Sequence, residues 1–166
     1  MTHLRAGATR ANRSVSDLDL LIPVGVEFTD DVDEAAKRHA RGYAFTIGAM
    51  GSKDKNFYNA AFERQGFGDD VRAVQELWLD GRREEAADRV PTELGFKTNL
   101  LGTPAMVKDR LRMYRVAGIT TIQAKLEGSI QARVDTAAQL VELVEDLNGE
   151  AQSQTTAWRG GRTMPP

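Results

Sequence analysis

The stretch Leu20–Phe28, LLIPVGVEF, constrains this chain more than any other. It is almost wholly apolar, and the turn-forming residues Ser14, Ser16, Asp17 and Asp19 precede it. A continuous apolar run of this length reads as a strand buried on both faces, the kind found in parallel sheets covered by helices. Such a strand needs neighbours at its edges and layers above and below. Pro23 cannot donate a ladder hydrogen bond, so it predicts a sheet edge or a bulge at that point.

What surrounds the run is mostly helical. His3–Arg13 reads as a short helix. Thr29 is placed to cap the next one, with Asp30, Asp31 and Asp33 in its first turn at the positive end of the helix dipole. That helix runs through AAKRHARGYAF toward Ile47 and is weakened at Gly42. Thr46–Asp70 is rich in glycine and aromatics and predicts loops around a short helix near Asn56–Arg64. Val71, Val74, Leu77 and Trp78 recur at helical spacing, with Gly81 as the stop and Trp78 expected in the core. Arg82–Val90 is a further short helix, halted by Pro91.

The final third is the most regular. Lys97–Leu101 reads as a strand, and Gly102-Thr103-Pro104 supplies a turn, an N-cap and a first-turn proline. Val107, Leu111 and Tyr114 mark the inner face of the helix that follows, and Gly118 ends it. Ile119–Ala124 is β-branched and reads as a strand. A long helix after Gly128 carries Ile130, Val134, Ala137, Val141 and Val144 as its apolar stripe, expected to face inward. From Gly149 the periodicity stops, so 149–166 is expected as a disordered tail behind a folded portion, 1–148.

Strands alternating with helices predict an α/β fold with a parallel sheet. Three strands are too few for a self-sufficient one. A closed (β/α)8 barrel takes about 250 residues, against the 166 here. The sequence therefore reads as part of a barrel or sheet, with open strand edges.

Charge and composition exclude several functions. With 22 Lys+Arg, 24 Asp+Glu and a net charge of -2, there is no electrostatic drive toward nucleic acid. No apolar run reaches the roughly 20 residues that span a bilayer, and no secretory leader is visible, so a cytoplasmic location is expected. The chain has no cysteine and only two histidines, His3 and His39. Disulfides, thiolate nucleophiles and recognisable metal spacings are absent from it. His39, in a Lys/Arg-rich stretch, reads as a surface residue.

The segment YAFTIGAMGSKDKNFYNAAFERQGFGDDVRAVQELWLDGRREEAADRVP resembles the C-terminal half of luciferase-like oxidoreductases, above all the branch that uses the deazaflavin coenzyme F420. LLGTPAMVKDRLRMYRVAG, Leu100–Gly118, is similar to that family's late strand–helix unit. The likeness covers roughly Leu4–Leu147. It implies a partial TIM-type (β/α)8 barrel, with the three strands as the sixth, seventh and eighth and a helical insertion after the first of them. It also implies hydride transfer between a deazaflavin and a small organic substrate, with FMN as the alternative coenzyme. The family's acid/base residues come largely from the first half of the barrel, so no catalytic residue is assigned and activity of this chain alone is not expected.

On that mapping the strand ends at Glu27–Thr29 and Lys125–Gly128, the Gly102–Thr103 turn and the insertion face the active site. The coenzyme-binding candidates are Gly51, Ser52, Lys53, Lys55, Asn56 and Tyr58. Gly51 permits close backbone approach, Ser52 offers a hydroxyl, and Lys53 and Lys55 offer charge for a phosphate or acidic tail. Phe57 and Tyr58 can wall a flat ring. Expected partners are this coenzyme, a small-molecule substrate, and either a second copy or the missing N-terminal half, met through open strand edges.

Overall fold

The computed structural model describes residues 1–51 and 56–160, with side chains as far as residue 150. The elements in order are α1 (Thr2–Arg10), β1 (Leu21–Phe28), α2 (Val32–Arg41), α3 (Tyr43–Ala49), α4 (Phe57–Glu63) and α5 (Gly68–Leu79). After them come α6 (Arg83–Arg89), α7 (Thr92–Thr98), β2 (Leu100–Gly102), α8 (Pro104–Ala117), β3 (Thr121–Lys125) and α9 (Ile130–Gly160). The chain divides into two compact units, one of residues 1–28 and 102–166, the other of residues 29–101.

The strands form a sheet in the order β2–β1–β3, and β1 and β3 run parallel from Leu21 opposite Thr121 to Gly25 opposite Lys125. Consecutive staves of a closed barrel would lie β1–β2–β3. Here the first strand sits between the other two. Pro23 is therefore in the central strand, not at the edge its missing donor predicts. The Leu20 carbonyl accepts from Thr120 N at 3.0 Å and Thr121 N at 3.3 Å. Backbone groups alternate in direction along a strand, so Ile22 and Val24 turn theirs toward β3 while the Pro23 nitrogen points away. The proline removes nothing from the long ladder. Only the middle of β1 is buried as expected: Val24, Gly25 and Val26 are covered, Glu27 and Phe28 half-buried, and Leu21 and Pro23 exposed.

Asp19 fastens the start of this ladder. Its Oδ1 accepts from the Thr121 hydroxyl at 2.5 Å and from the Thr120 hydroxyl, and Thr120 Oγ1 in turn accepts from Leu20 N at 2.8 Å. The hydroxyls of Thr120 and then Thr121 hold the Asp19 carboxyl below its ordinary pKa of 3.8. A lowered folded-state pKa stabilises the fold above the unfolded value and stops doing so as pH falls through the folded one. Asp19→Asn is therefore expected to be less stable than the wild type at neutral pH. Urea melts should show that gap closing as pH drops below 3.8.

In the same unit α8 forms as its sequence predicts. Thr103 Oγ1 accepts from Met106 N, Pro104 opens the first turn, and Gly118 takes the left-handed C-cap at φ 92°. Lys108 bridges to Asp146 at 3.2 Å and to Glu150 at 3.0 Å on α9, and Arg115 donates to the Leu147 carbonyl at 2.7 Å. The contacts select the inner face of α9: Leu140 and Leu147 are buried. Of the stripe expected inside, Ala137 and Val144 are half-buried, whereas Ile130 is 80% exposed and Val134 and Val141 are each 55% exposed. α9 also continues past Gly149 to Gly160, where an irregular tail was expected; residues 161–166 lie outside the described residues.

In the unit of residues 29–101, Asp31 is the cap of α2, accepting from Glu34 N at 3.2 Å, while Thr29 Oγ1 accepts from Asp31 N. Gly42 divides the expected single helix into α2 and α3. Ile47, Val71, Val74, Ala86 and Leu94 form the centre of its core. Two approaches are close enough to require glycine. A Cβ on Gly95 of α7 would stand 1.9 Å from the Ala36 carbonyl oxygen, and one on Gly48 of α3 would stand 2.2 Å from Trp78 Cγ. The expected strand Lys97–Leu101 is mostly displaced: α7 runs to Thr98, and β2 starts only at Leu100. Packing of Gly95 on α2 overrides the local preference.

Candidate cofactor site

The strands carry few groups at their carboxyl ends. Lys125 ends β3 exposed, opposite Gly25, and Glu27 near the end of β1 is half-buried. The first turn of α8 is closed by its own Thr103 cap, and the Met106 side chain lies over Gly102, its sulfur 2.8 Å from where a Cβ would be. A backbone turn satisfied and covered in this way is not an open anion cradle.

The insertion is built more distinctively. Gly51 follows α3 in the left-handed region at φ 97°, which a side chain would strain. Ser52, Lys53 and Lys55 lie outside the described residues. Asn56 caps α4: its Oδ1 accepts from Tyr58 N at 3.0 Å and Asn59 N at 3.2 Å, and its Nδ2 donates to the Ile47 carbonyl at 3.0 Å. Both ends of the amide are committed, so Asn56 positions α4. Phe57 is 76% and Tyr58 41% exposed, their rings edge to face with centroids 5.8 Å apart.

Sequence reasoning missed Asn59. It is buried, its Nδ2 donates to the same Ile47 carbonyl at 3.1 Å, and among the described residues its Oδ1 has no donor. A buried acceptor left unmet costs about 1–3 kcal/mol, so the position favours a donor brought by a bound molecule. The available signal was an asparagine three residues after an asparagine N-cap, which reads as an ordinary polar face.

Trp78 is half-buried, packed against the core as expected, with Phe45 edge-on at 5.9 Å and the Arg83 guanidinium 5.3 Å from its ring centroid. A cavity of about 820 Å³ lies among the start of β3, the end of α8 and α9. It opens at the amino end of the strands, the end that serves stability in α/β barrels, and its Arg115 is occupied by Leu147 and Asn148. Among the described residues no group of three His, Asp or Glu could hold a metal, and no helix is long and apolar enough to cross a membrane.

A parallel sheet with an aromatic-bearing helical insertion after its first strand agrees with the comparisons. The family model for luciferase-like monooxygenases matches residues 1–121, and the chain belongs to that family. A protein of Mycobacterium tuberculosis named as a coenzyme F420-dependent oxidoreductase is 30% identical over 123 residues, which is 74% of this chain and 35% of that protein. The chain thus spans about a third of the length of the curated relative it matches. No solved structure matches it.

Proposed function

We propose that this chain is the C-terminal part of a coenzyme F420-dependent luciferase-like oxidoreductase, and that its insertion contributes to the coenzyme site. The observation that carries the reading is the family match, which spans the whole insertion, together with the likeness to a relative named for that coenzyme. The residues fit such a group. Phe57 and Tyr58 offer exposed faces to a flat ring, and the unmet Asn59 Oδ1 accepts from a ring N–H or a hydroxyl. Lys53 and Lys55, either side of Asp54, supply charge for the phosphate and acidic tail.

When bound, the deazaflavin supplies the hydride-transferring ring carbon. The residues of this chain do the holding: Asn56 fixes the first turn of α4, that turn sets Tyr58, and the lysines attract the anionic end. Acid/base groups lie in the part of the family fold this chain does not span. By itself the chain binds coenzyme without turning over substrate.

Titration of the purified chain with F420, followed by the coenzyme's fluorescence, is expected to saturate at lower concentration than titration with FMN. Lys53→Ala with Lys55→Ala should weaken F420 binding at least about tenfold, as expected for loss of two charge-assisted contacts. Tighter binding of FMN, or lysine variants that bind as the wild type does, would overturn the assignment.

A further inference from the structure

The unmet oxygen of Asn59 bears on which edge of a coenzyme ring this chain reads. Asn59 is 6% exposed, and among the described residues its Oδ1 has no donor. The polar groups around it are already spent. Its own Nδ2 and that of Asn56 both donate to the Ile47 carbonyl, at 3.1 Å and 3.0 Å, which takes both lone pairs of that oxygen. The backbone N–H groups of Tyr58 and Asn59 are held by Asn56 Oδ1. A trapped water needs roughly two to four polar partners, and among these groups only Asn59 Oδ1 has capacity left. The position therefore suits a lone donor on an otherwise apolar body better than it suits water.

We propose that Asn59 reads the ring hydroxyl of the deazaflavin and thereby selects F420 over FMN, an inference that rests on the insertion binding the coenzyme. The two ring systems share an imide edge, an N–H between two carbonyls. A site that reads this edge must offer donors beside its acceptor, and the donors next to Asn59 Oδ1 are committed. The rings differ at the opposite edge, where the deazaflavin carries a hydroxyl and FMN a methyl group. A hydroxyl flanked by ring C–H groups is a lone donor, and it pairs with a lone acceptor. A methyl group in its place leaves Oδ1 buried and unmet, and a site built to bond a hydroxyl rejects the analogue that lacks one. Phe57 and Tyr58, on the same turn of α4, supply the aromatic faces.

Calorimetric titration of the full chain compares F420 with its deoxy analogue, in which hydrogen replaces the ring hydroxyl. The analogue is expected to bind at least about tenfold more weakly, as for loss of one buried hydrogen bond. Asn59→Leu should remove most of that difference by weakening F420 itself. Absorption gives a readout that a purely structural role would not move. An amide oxygen accepts from O–H and repels O⁻, so binding should shift the coenzyme spectrum from its ionised toward its neutral hydroxyl form. Asn59→Leu should bind without that shift. Should the variant fold poorly, the deoxy comparison and the spectral shift on the wild type decide by themselves. Failure of F420 to bind at all would sink the coenzyme assignment. F420 bound in preference to FMN, but with the deoxy analogue bound as tightly or the spectrum unchanged, would overturn the role of Asn59 alone.

Discussion

Gly95→Ala is expected to destabilise the protein by about 3 kcal/mol or more, the upper end for overpacking. An added Cβ would meet the Ala36 carbonyl oxygen at 1.9 Å, the Ala36 carbonyl carbon at 2.9 Å and Ala40 N at 2.8 Å. These are backbone atoms of α2, so no rotamer change relieves the collision, and α7 as a whole must lift away. Leu94, the neighbouring residue and fully buried, would lose its packing in the same movement. The helix-propensity gain of alanine over glycine, about 1 kcal/mol, works against this and is outweighed. Urea unfolding followed by Trp78 fluorescence in a Trp158→Phe background measures the difference. A variant as stable as its parent would show that α2 and α7 are not in this contact.

Gly48→Ala is expected to cost about 2–3 kcal/mol in urea unfolding followed by far-UV circular dichroism, a readout that does not depend on Trp78. The obstruction here is the root of a side chain, Trp78 Cγ at 2.2 Å and Cβ at 2.4 Å. Truncation distinguishes the two cases. Trp78→Ala removes the indole but leaves the Cβ, so it should not restore the Gly48→Ala variant. It should add a loss of its own, because Phe45 and the core edge lose their ring contact. Recovery of full stability in the double variant would mean that α3 and α5 meet through the indole alone.

Elements whose signals are local were legible in the sequence. α8 has its cap, its proline and its terminal glycine within its own span, and each behaves as its chemistry dictates. Asn56 begins α4 for the same reason. What failed was decided elsewhere in the chain. Thr92–Thr98 looks no more helical than its surroundings; the close fit of Gly95 on α2 makes it so. In α9 both Ile130–Val144 and Leu140–Leu147 offer apolar periodicity, and periodicity does not say which meets α8. Pro23 argued for an edge because a missing donor is a local fact, whereas the direction that nitrogen faces depends on a partner strand.

The candidate site divides in the same way. Gly51 offers backbone freedom by its residue type and has a positive φ. Asn56 reads as a ligand contact from its residue type, but its amide is spent on α4 and Ile47. Asn59 was passed over because burial of one oxygen without a donor is a property of packing, not of residue type.

The sheet order also sets a timetable. Leu20 and Thr120 are 100 residues apart in sequence, yet their backbones join at the foot of the β1–β3 ladder. A nascent chain thus exposes its greasiest segment long before the partner for it has been synthesised, and pairs that close such large loops form slowly. The helices of residues 29–101 rely on neighbours made within moments of one another and can settle first. During that interval the unpaired apolar strand is the part most prone to aggregate or to engage a chaperone.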